Sequence, residues 1–172
     1  MRRFSIVLCL GLATALSSCQ VRPLYEANTT TATSLASIGF AAAPDRVTQE
    51  VRNSLIFLTS GGAGETANPE YRLDLTVTSS VGTPLLDDSS TMPKIARLTL
   101  VATYKMSRVS DGTILRAASR QAVALYDYPA QEFSKLRAKR DAENRAAKEL
   151  AEIIRADLAG YLGRGVLKPQ LK

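Results

Sequence analysis

The 172-residue chain contains no histidine. Histidine is the commonest general base and a frequent metal ligand, so its absence removes Ser-His and Cys-His nucleophile pairs and imidazole-bound metal centres. Carboxylate sites need no histidine, but the one adjacent pair, Asp87 and Asp88, lies among Leu, Ser, Thr and Pro, as solvated turn residues do. The sequence therefore predicts no catalytic residue, no metal site and no cofactor, and we do not expect an enzyme.

Cysteine is almost as scarce, with only Cys9 and Cys19. Cys9 lies in an apolar N-terminal stretch that we expect to be removed, so the mature chain has no pair of cysteines for an internal disulfide. The mature chain also lacks an apolar run long enough to span a bilayer as a helix.

The amino end carries a recognisable export signal. A cationic Met1-Arg2-Arg3 head precedes an apolar run at positions 4–16, which is typical of a secretory signal peptide. The tetrad Leu16-Ser17-Ser18-Cys19 also resembles a bacterial lipobox, which implies cleavage before Cys19 and acylation of that residue. Several long acyl chains would tether the protein almost irreversibly. The alternative is a plain signal peptide with an incidental cysteine.

The rest of the chain divides by composition. After the signal peptide at 1–18, residues 19–37 are rich in Thr, Ala and Ser and are predicted to form a lipidated flexible tether. One domain is expected at 38–165, followed by a disordered tail at 166–172.

Within the domain, periodicity predicts two helices and four strands. The predicted order is a strand at 38–40, a helix from Asp45 to the Gly61-Gly62 stop, strands starting at Tyr71, Ile95 and Ile114, and a helix at 130–162 ended by Gly163 and Gly165. This order (β-α-β-β-β-α) favours an α+β two-layer sandwich, with a mostly antiparallel four-stranded sheet and both helices on one face. Nothing in the sequence obviously covers the other face.

The dipeptide Asp111-Gly112 predicts a two-residue hairpin turn. That turn would pair Leu98 with Leu125 on the buried side. It would also place four bases together on the open side of the sheet, without accompanying acids. These bases are Arg97, Lys105, Arg116 and Arg120.

Charge is unevenly distributed. Residues 20–93 carry four basic and eight acidic side chains, whereas residues 94–148 carry twelve basic and five acidic ones. For an exported, membrane-tethered protein, the basic part suggests an anionic partner, with phosphorylated lipid favoured over nucleic acid. A charged surface kept for solubility is the alternative.

The last helix combines an apolar side with a basic first half. The predicted apolar side comprises Phe133, Leu136, Ala147, Leu150, Ile154, Leu158 and Tyr161. The bases of the first half are Lys135, Arg137, Lys139, Arg140 and Arg145.

Three stretches resemble those of the LptE-type lipopolysaccharide-assembly lipoproteins. The segment 19–25 is similar to the family's stretch after the lipidated cysteine, 49–55 is similar to its first helix with a Val-Arg-Asn-x-Leu pattern, and 126–129 is similar to the aromatic-Asp-x-Pro junction before its second helix. The order of the predicted helices and strands also matches the family over nearly the whole mature chain.

This resemblance implies an outer-membrane lipoprotein, lipid-anchored on the periplasmic side, that plugs and helps assemble an LptD-type β-barrel and binds lipopolysaccharide. Gln20 is consistent with sorting to the outer membrane. Lys135 matches a basic position of the family's second helix. The family has another basic position near the mouth of the long strand-to-strand loop, and Lys94 is the base nearest to that position in this chain. We take as candidate lipopolysaccharide-binding residues Lys135, Lys94, Arg97, Lys105, Arg116, Arg120 and Lys139.

Two other functions remain open. One is a lipid-binding auxiliary lipoprotein of an ABC-type envelope lipid transporter. The other is a lipid-anchored cell-wall hydrolase, which the lack of histidine disfavours.

Overall fold

The computed structural model describes residues 30–82 and 95–166. In these ranges the elements are α1 (Thr30–Ala36), β1 (Ile38–Phe40), α2 (Arg46–Ser60), β2 (Tyr71–Gly82), β3 (Ile95–Arg108), β4 (Ile114–Asp127) and α3 (Glu132–Val166).

The four strands form one sheet in the order β1-β2-β3-β4. Strand β1 runs parallel to β2, and the other neighbouring pairs are antiparallel. Helices α2 and α3 pack against each other and against one face of this sheet. The predicted α+β two-layer sandwich is therefore confirmed, with one helix more than the sequence suggested.

The additional helix, α1, lies in the stretch that we predicted as part of the tether. Leu35 is buried, and α1 packs against α3. The folded domain therefore begins by Thr30 and not at residue 38. Seven Thr-, Ala- and Ser-rich residues do not specify a stable helix alone, so packing on α3 is what supports α1.

Helix α2 begins and ends where its caps predict. Asp45 Oδ1 accepts hydrogen bonds from the backbone nitrogens of Val47 (2.9 Å) and Thr48 (3.0 Å), which satisfies donors that a helix start leaves free. Gly61 closes the helix in the left-handed conformation, with φ of 62°. Val51 and Leu55 of the predicted stripe are fully buried.

Helix α3 does not stop at Gly163, contrary to prediction, and runs to Val166. A glycine inside a helix costs about 1 kcal/mol relative to alanine. Here the missing side chain leaves room for α1, because a Cβ at position 163 would lie 3.4 Å from Thr31 Oγ1. We infer that packing between the two helices offsets the local preference.

The predicted two-residue turn between β3 and β4 is wrong. The Arg108 nitrogen donates to the Thr113 oxygen at 2.9 Å, so the loop comprises residues 109–112, and Gly112 adopts a positive φ of 69°. A bulge follows, because Ser107 pairs with Ile114 while Met106 pairs with Arg116. Leu115 is the extra residue.

The bulge reverses the two sides of β4. A four-residue loop alone would keep the predicted side chains inward, but the extra residue shifts the pairing by one. Leu98 therefore faces Ala124, and Leu125 is 55% exposed on the other side. The buried side of β4 includes Ala122 and Ala124, and these small side chains let the Ala-rich middle of α3 approach closely.

The opposite side of the sheet, called the open face below, carries no helix within the described ranges. Its exposed residues include Arg72, Asp74, Thr76, Thr78, Ile95, Arg97, Thr103, Lys105, Val123 and Leu125. Pro69 covers one corner next to β1, where a Cβ at Gly39 would lie 2.8 Å from the proline Cβ. The expectation of a largely uncovered sheet face thus holds for the described residues.

Candidate functional site

The structure separates the four sheet bases that the sequence placed together. Arg97 and Lys105 lie on the open face, where they pair in register with Leu125 and Ala117 of β4. Arg116 and Arg120 lie on the face that α3 covers, opposite Met106 and Ala102. The prediction of one shared basic surface is therefore wrong, and the bulge at Leu115 is the cause.

Arg116 and Arg120 both bind Asp157 of α3, an acid that the sequence did not place near them. Arg116 donates from Nε to Oδ2 (3.0 Å) and from Nη2 to Oδ1 (2.7 Å). Arg120 Nη2 donates to Oδ1, and the Tyr104 hydroxyl donates to Oδ2, both at 2.5 Å. Two cations and a phenol thus share one carboxylate between β3, β4 and α3.

This environment shifts the pKa of the acid and the phenol. Burial alone would raise the pKa of Asp157, but the hydrogen bonds from Arg116, Tyr104 and Arg120 outweigh it and lower the pKa to about 2. Burial, together with the hydrogen bond to Asp157, raises the pKa of Tyr104. The cluster is therefore charged across the physiological range and holds α3 on the sheet.

Lys135 lies in the first turn of α3, beside the aromatic junction that precedes the helix. Its Nζ is 2.5 Å from Glu132 Oε1 and 4.5 Å from the centre of the Tyr128 ring. The hydrogen bond to Glu132 raises the pKa of Lys135. The Tyr128 ring in turn lies 6.4 Å from the Tyr126 ring. An aromatic face and a carboxylate therefore hold the ammonium group of Lys135 in place.

Lys139 lies one turn further along α3 and is half-exposed. Its Nζ is 3.8 Å from Glu143 Oε1, a loose contact. The buried Glu143 carboxylate also binds Arg46 at the start of α2. Lys139 is thus less fixed than Lys135, and much of its charge faces solvent.

A cleft joins the basic start of α3 to the open face. It has a volume of about 320 Å³ and lies between Ile95 and Leu125 on the sheet and Ala138 and Arg145 on α3. Arg145 Nη2 donates to the Leu125 carbonyl at 3.0 Å and so covers part of the free edge of β4. The basic helix and the apolar corner of the open face are therefore neighbours.

The Val-Arg-Asn stretch of α2 has a structural role here. Arg52 Nη2 lies 2.6 Å from Glu65 Oε2, and Arg52 Nε donates to the Ala41 carbonyl at 3.0 Å. Glu65 Oε1 also accepts from the Phe40 nitrogen at 2.7 Å. Arg52 therefore holds α2 against the end of β1 and against the loop that follows α2.

Some predicted site residues lie outside the described residues, namely Cys19, Lys94 and the Asp87-Asp88 pair. Within the described ranges, no three His, Cys, Asp or Glu side chains come together as metal ligands. No helix in these ranges has the length and apolar character needed to cross a membrane.

The sequence did not single out two residues of this region. Asp157 lies midway along α3, and only the register of β4 brings it to the arginines. Tyr128 was noted only as part of the junction motif, and it lies seven residues before Lys135 and outside α3, so only the path of the chain into the helix brings the ring to the ammonium group.

Three solved structures of bacterial lipoproteins resemble this fold. A candidate lipoprotein of Caulobacter crescentus CB15 has a TM-score of 0.64 at 22% identity, covering 77% of this chain and 96% of its own. Rare lipoprotein B of Shewanella oneidensis has a TM-score of 0.55 at 13% identity, covering 74% of this chain and 95% of its own. A minor lipoprotein of Acinetobacter baumannii has a TM-score of 0.54 at 16% identity, covering 72% of this chain and 88% of its own.

No protein-family model and no curated protein matches this sequence. At these identities the comparisons establish the fold. The chain therefore shares an α+β fold with bacterial lipoproteins from three genera.

Proposed function

We propose that this protein is a non-enzymatic outer-membrane lipoprotein that plugs and helps assemble an LptD-type β-barrel. In this proposal it binds lipopolysaccharide near the start of α3 during the final export step. The resemblance of its sequence to LptE-type lipoproteins and its fold, shared with bacterial lipoproteins, support this function.

The open face is the observation that carries the proposal. A sheet face without covering elements in the described ranges, with Ile95, Val123 and Leu125 exposed together at one corner, is unusual for a protein that acts alone. Thr76, Thr78 and Thr103 keep much of the remaining face flat and uncharged. Such a surface suits close packing against the inner wall of a barrel.

The length and direction of α3 also suit a plug that reaches across the membrane. Thr31 lies beside Gly163, near the carboxyl end of α3, whereas Lys135 lies in its first turn. At ~1.5 Å per residue these ends are separated by about 42 Å, close to the thickness of a bilayer with its headgroups. A plug anchored through Cys19 at one surface would therefore carry Lys135 towards the other.

The chemistry near Lys135 fits a phosphorylated lipid. Lipid A presents phosphate groups on a sugar, and an ammonium group binds phosphate as a point charge. Lys139 adds a second cation on the same helix, and the Tyr128 ring holds the Lys135 ammonium group in place. Each exposed contact contributes about 1 kcal/mol, so the proposal requires several cations to act together.

Affinity purification of the full-length lipoprotein from detergent-solubilised envelopes tests this function. We expect a stoichiometric outer-membrane β-barrel, and its loss when Val123→Asp and Leu125→Asp place charges on the open face. Lys148→Asp, an exposed change on α3, is the matched control. Recovery of an ATPase with inner-membrane partners instead would favour the auxiliary lipoprotein of a lipid transporter.

A further inference from the structure

The solvent side of the first turns of α3 has no partner in the described structure. Phe133 and Leu136, predicted to belong to the buried side, are 70% and 49% exposed. Arg137 and Arg140 lie with them at the i, i+3, i+4 and i+7 positions, which form one helix face. We call these four residues the α3 tip face.

The arginines of the α3 tip face carry charge that no carboxylate neutralises in the described ranges. The Arg137 guanidinium lies 5.6 Å from the centre of the Phe133 ring, and neither Arg137 nor Arg140 forms an ion pair there. Lys135 and Arg145, on other sides of the same helix, each contact an acid. The free positive charge is therefore concentrated beside the exposed apolar side chains.

We propose that the α3 tip face docks on the anionic phospholipid surface of a bilayer. An exposed Phe-Leu pair can enter the headgroup boundary, and the two arginines on the same face can bind lipid phosphates. Positive charge near an anionic leaflet strengthens this binding. Charge complementarity thus selects an anionic lipid surface as the occupant.

A second exposed phenylalanine lacks these features. Phe57 of α2 is 66% exposed, but it lies in a groove with Glu149, Glu152 and Lys148, where acids outnumber bases. An anionic surface would be repelled there. Phe57 is therefore a matched control of the same residue type and similar exposure.

This contact goes beyond the proposed function because it describes the lipoprotein when no barrel encloses it. The described chain begins at Thr30, close to the carboxyl end of α3, so it enters the domain at the end opposite the α3 tip face. A tip in contact with the leaflet would then lay α3 along the membrane plane.

The chain contains no tryptophan, which allows a clean test. The full-length acylated protein carrying Phe133→Trp is reconstituted into vesicles of phosphatidylcholine and phosphatidylglycerol with brominated acyl chains. We expect a blue shift and strong quenching of the emission at position 133, and neither for Phe57→Trp. The acyl anchor is the same in both proteins, so the difference reports the orientation of the domain.

Charge dependence completes the test. Adding Arg137→Gln and Arg140→Gln to Phe133→Trp should reduce the ratio of docked to undocked protein by about fivefold per arginine. Vesicles of phosphatidylcholine alone, which lack the anionic lipid, should reduce this ratio by a similar factor. Equal quenching at positions 57 and 133, no quenching at 133, or quenching independent of both arginines and lipid charge would each overturn the proposal. None of these outcomes affects barrel co-purification, so the two proposals fail separately.

Discussion

Arg116 of β4 binds the Asp157 carboxylate of α3 through two hydrogen bonds, at 3.0 and 2.7 Å. This bidentate pair joins the free edge strand to the longest helix, and Arg120 and Tyr104 complete the coordination of the same carboxylate. Residues that the sequence suggested for ligand binding are thus engaged in holding the two layers together.

Asp157→Asn should destabilise the domain by about 2 kcal/mol, because it leaves two partly buried arginines without their shared anion. The Asp157 side chain is only 11% exposed, so solvent can replace little of the lost interaction. Urea denaturation followed by circular dichroism measures the change. Asp141→Asn removes the exposed partner of Arg145 and should have little effect; equal losses in both variants would contradict the assignment.

The same carboxylate should make stability depend on acidity. Its pKa is lowered to about 2 in the folded protein from an ordinary value of 3.8, so its contribution is present above about pH 4 and is lost as the pH falls towards 2. The difference in unfolding free energy between the wild type and Asp157→Asn should shrink over that interval. A difference that stays constant from pH 5 to about 2 would refute this.

Lys135→Glu should weaken lipopolysaccharide binding by about fivefold or more while preserving the fold, because it replaces a partly exposed cation with an anion. A pull-down with immobilised lipopolysaccharide measures binding, and circular dichroism checks the fold. Lys148→Glu, on the outer side of α3, makes the same charge change away from Tyr128. Unchanged binding by Lys135→Glu would remove Lys135 from the site.

The register of β4 predicts opposite outcomes for two adjacent substitutions. Leu125→Asp should change the unfolding free energy by less than about 0.5 kcal/mol, because the side chain is on the open face. Ala124→Asp should cost about 3 kcal/mol or prevent folding, since it buries a charge opposite Leu98. Thermal unfolding measures the stability of the two variants. A larger loss of stability in Leu125→Asp than in Ala124→Asp would support the register in which Leu125 is buried.

Cys19→Ala should block acylation and leave an uncleaved or mislocalised precursor. Metabolic labelling with a radioactive fatty acid, followed by membrane fractionation, measures this. A variant that still incorporates label would show that the anchor is attached elsewhere.

Much of the fold could be predicted because it depends on local signals. Asp45 and Gly61 mark the ends of α2 through the hydrogen bonds that helix ends require. The alternation in β3 assigns Leu98 and Leu100 to the core correctly. These features can be predicted because they depend only on residues that are close together in the sequence.

The candidate site was predicted less well because its parts meet through pairing and packing. Asp111-Gly112 suggests the shortest hairpin, but a longer loop and one extra residue, Leu115, decide which side of β4 is buried. That single shift moved Arg116 and Arg120 to the covered face and Leu125 to the open one. The sequence contains no local preference strong enough to specify the bulge.

The sequence by itself determined the types of six of the seven described elements, the two-layer class, the basic start of α3 and the expectation of a lipid anchor, since these depend on composition and short-range periodicity. Only the tertiary structure decided which bases are free to bind a ligand, where α1 forms, and that Phe133 and Leu136 face solvent. The physical reason is that burial and ion pairing depend on strand register and helix reach, and both are set by contacts between residues far apart in the chain.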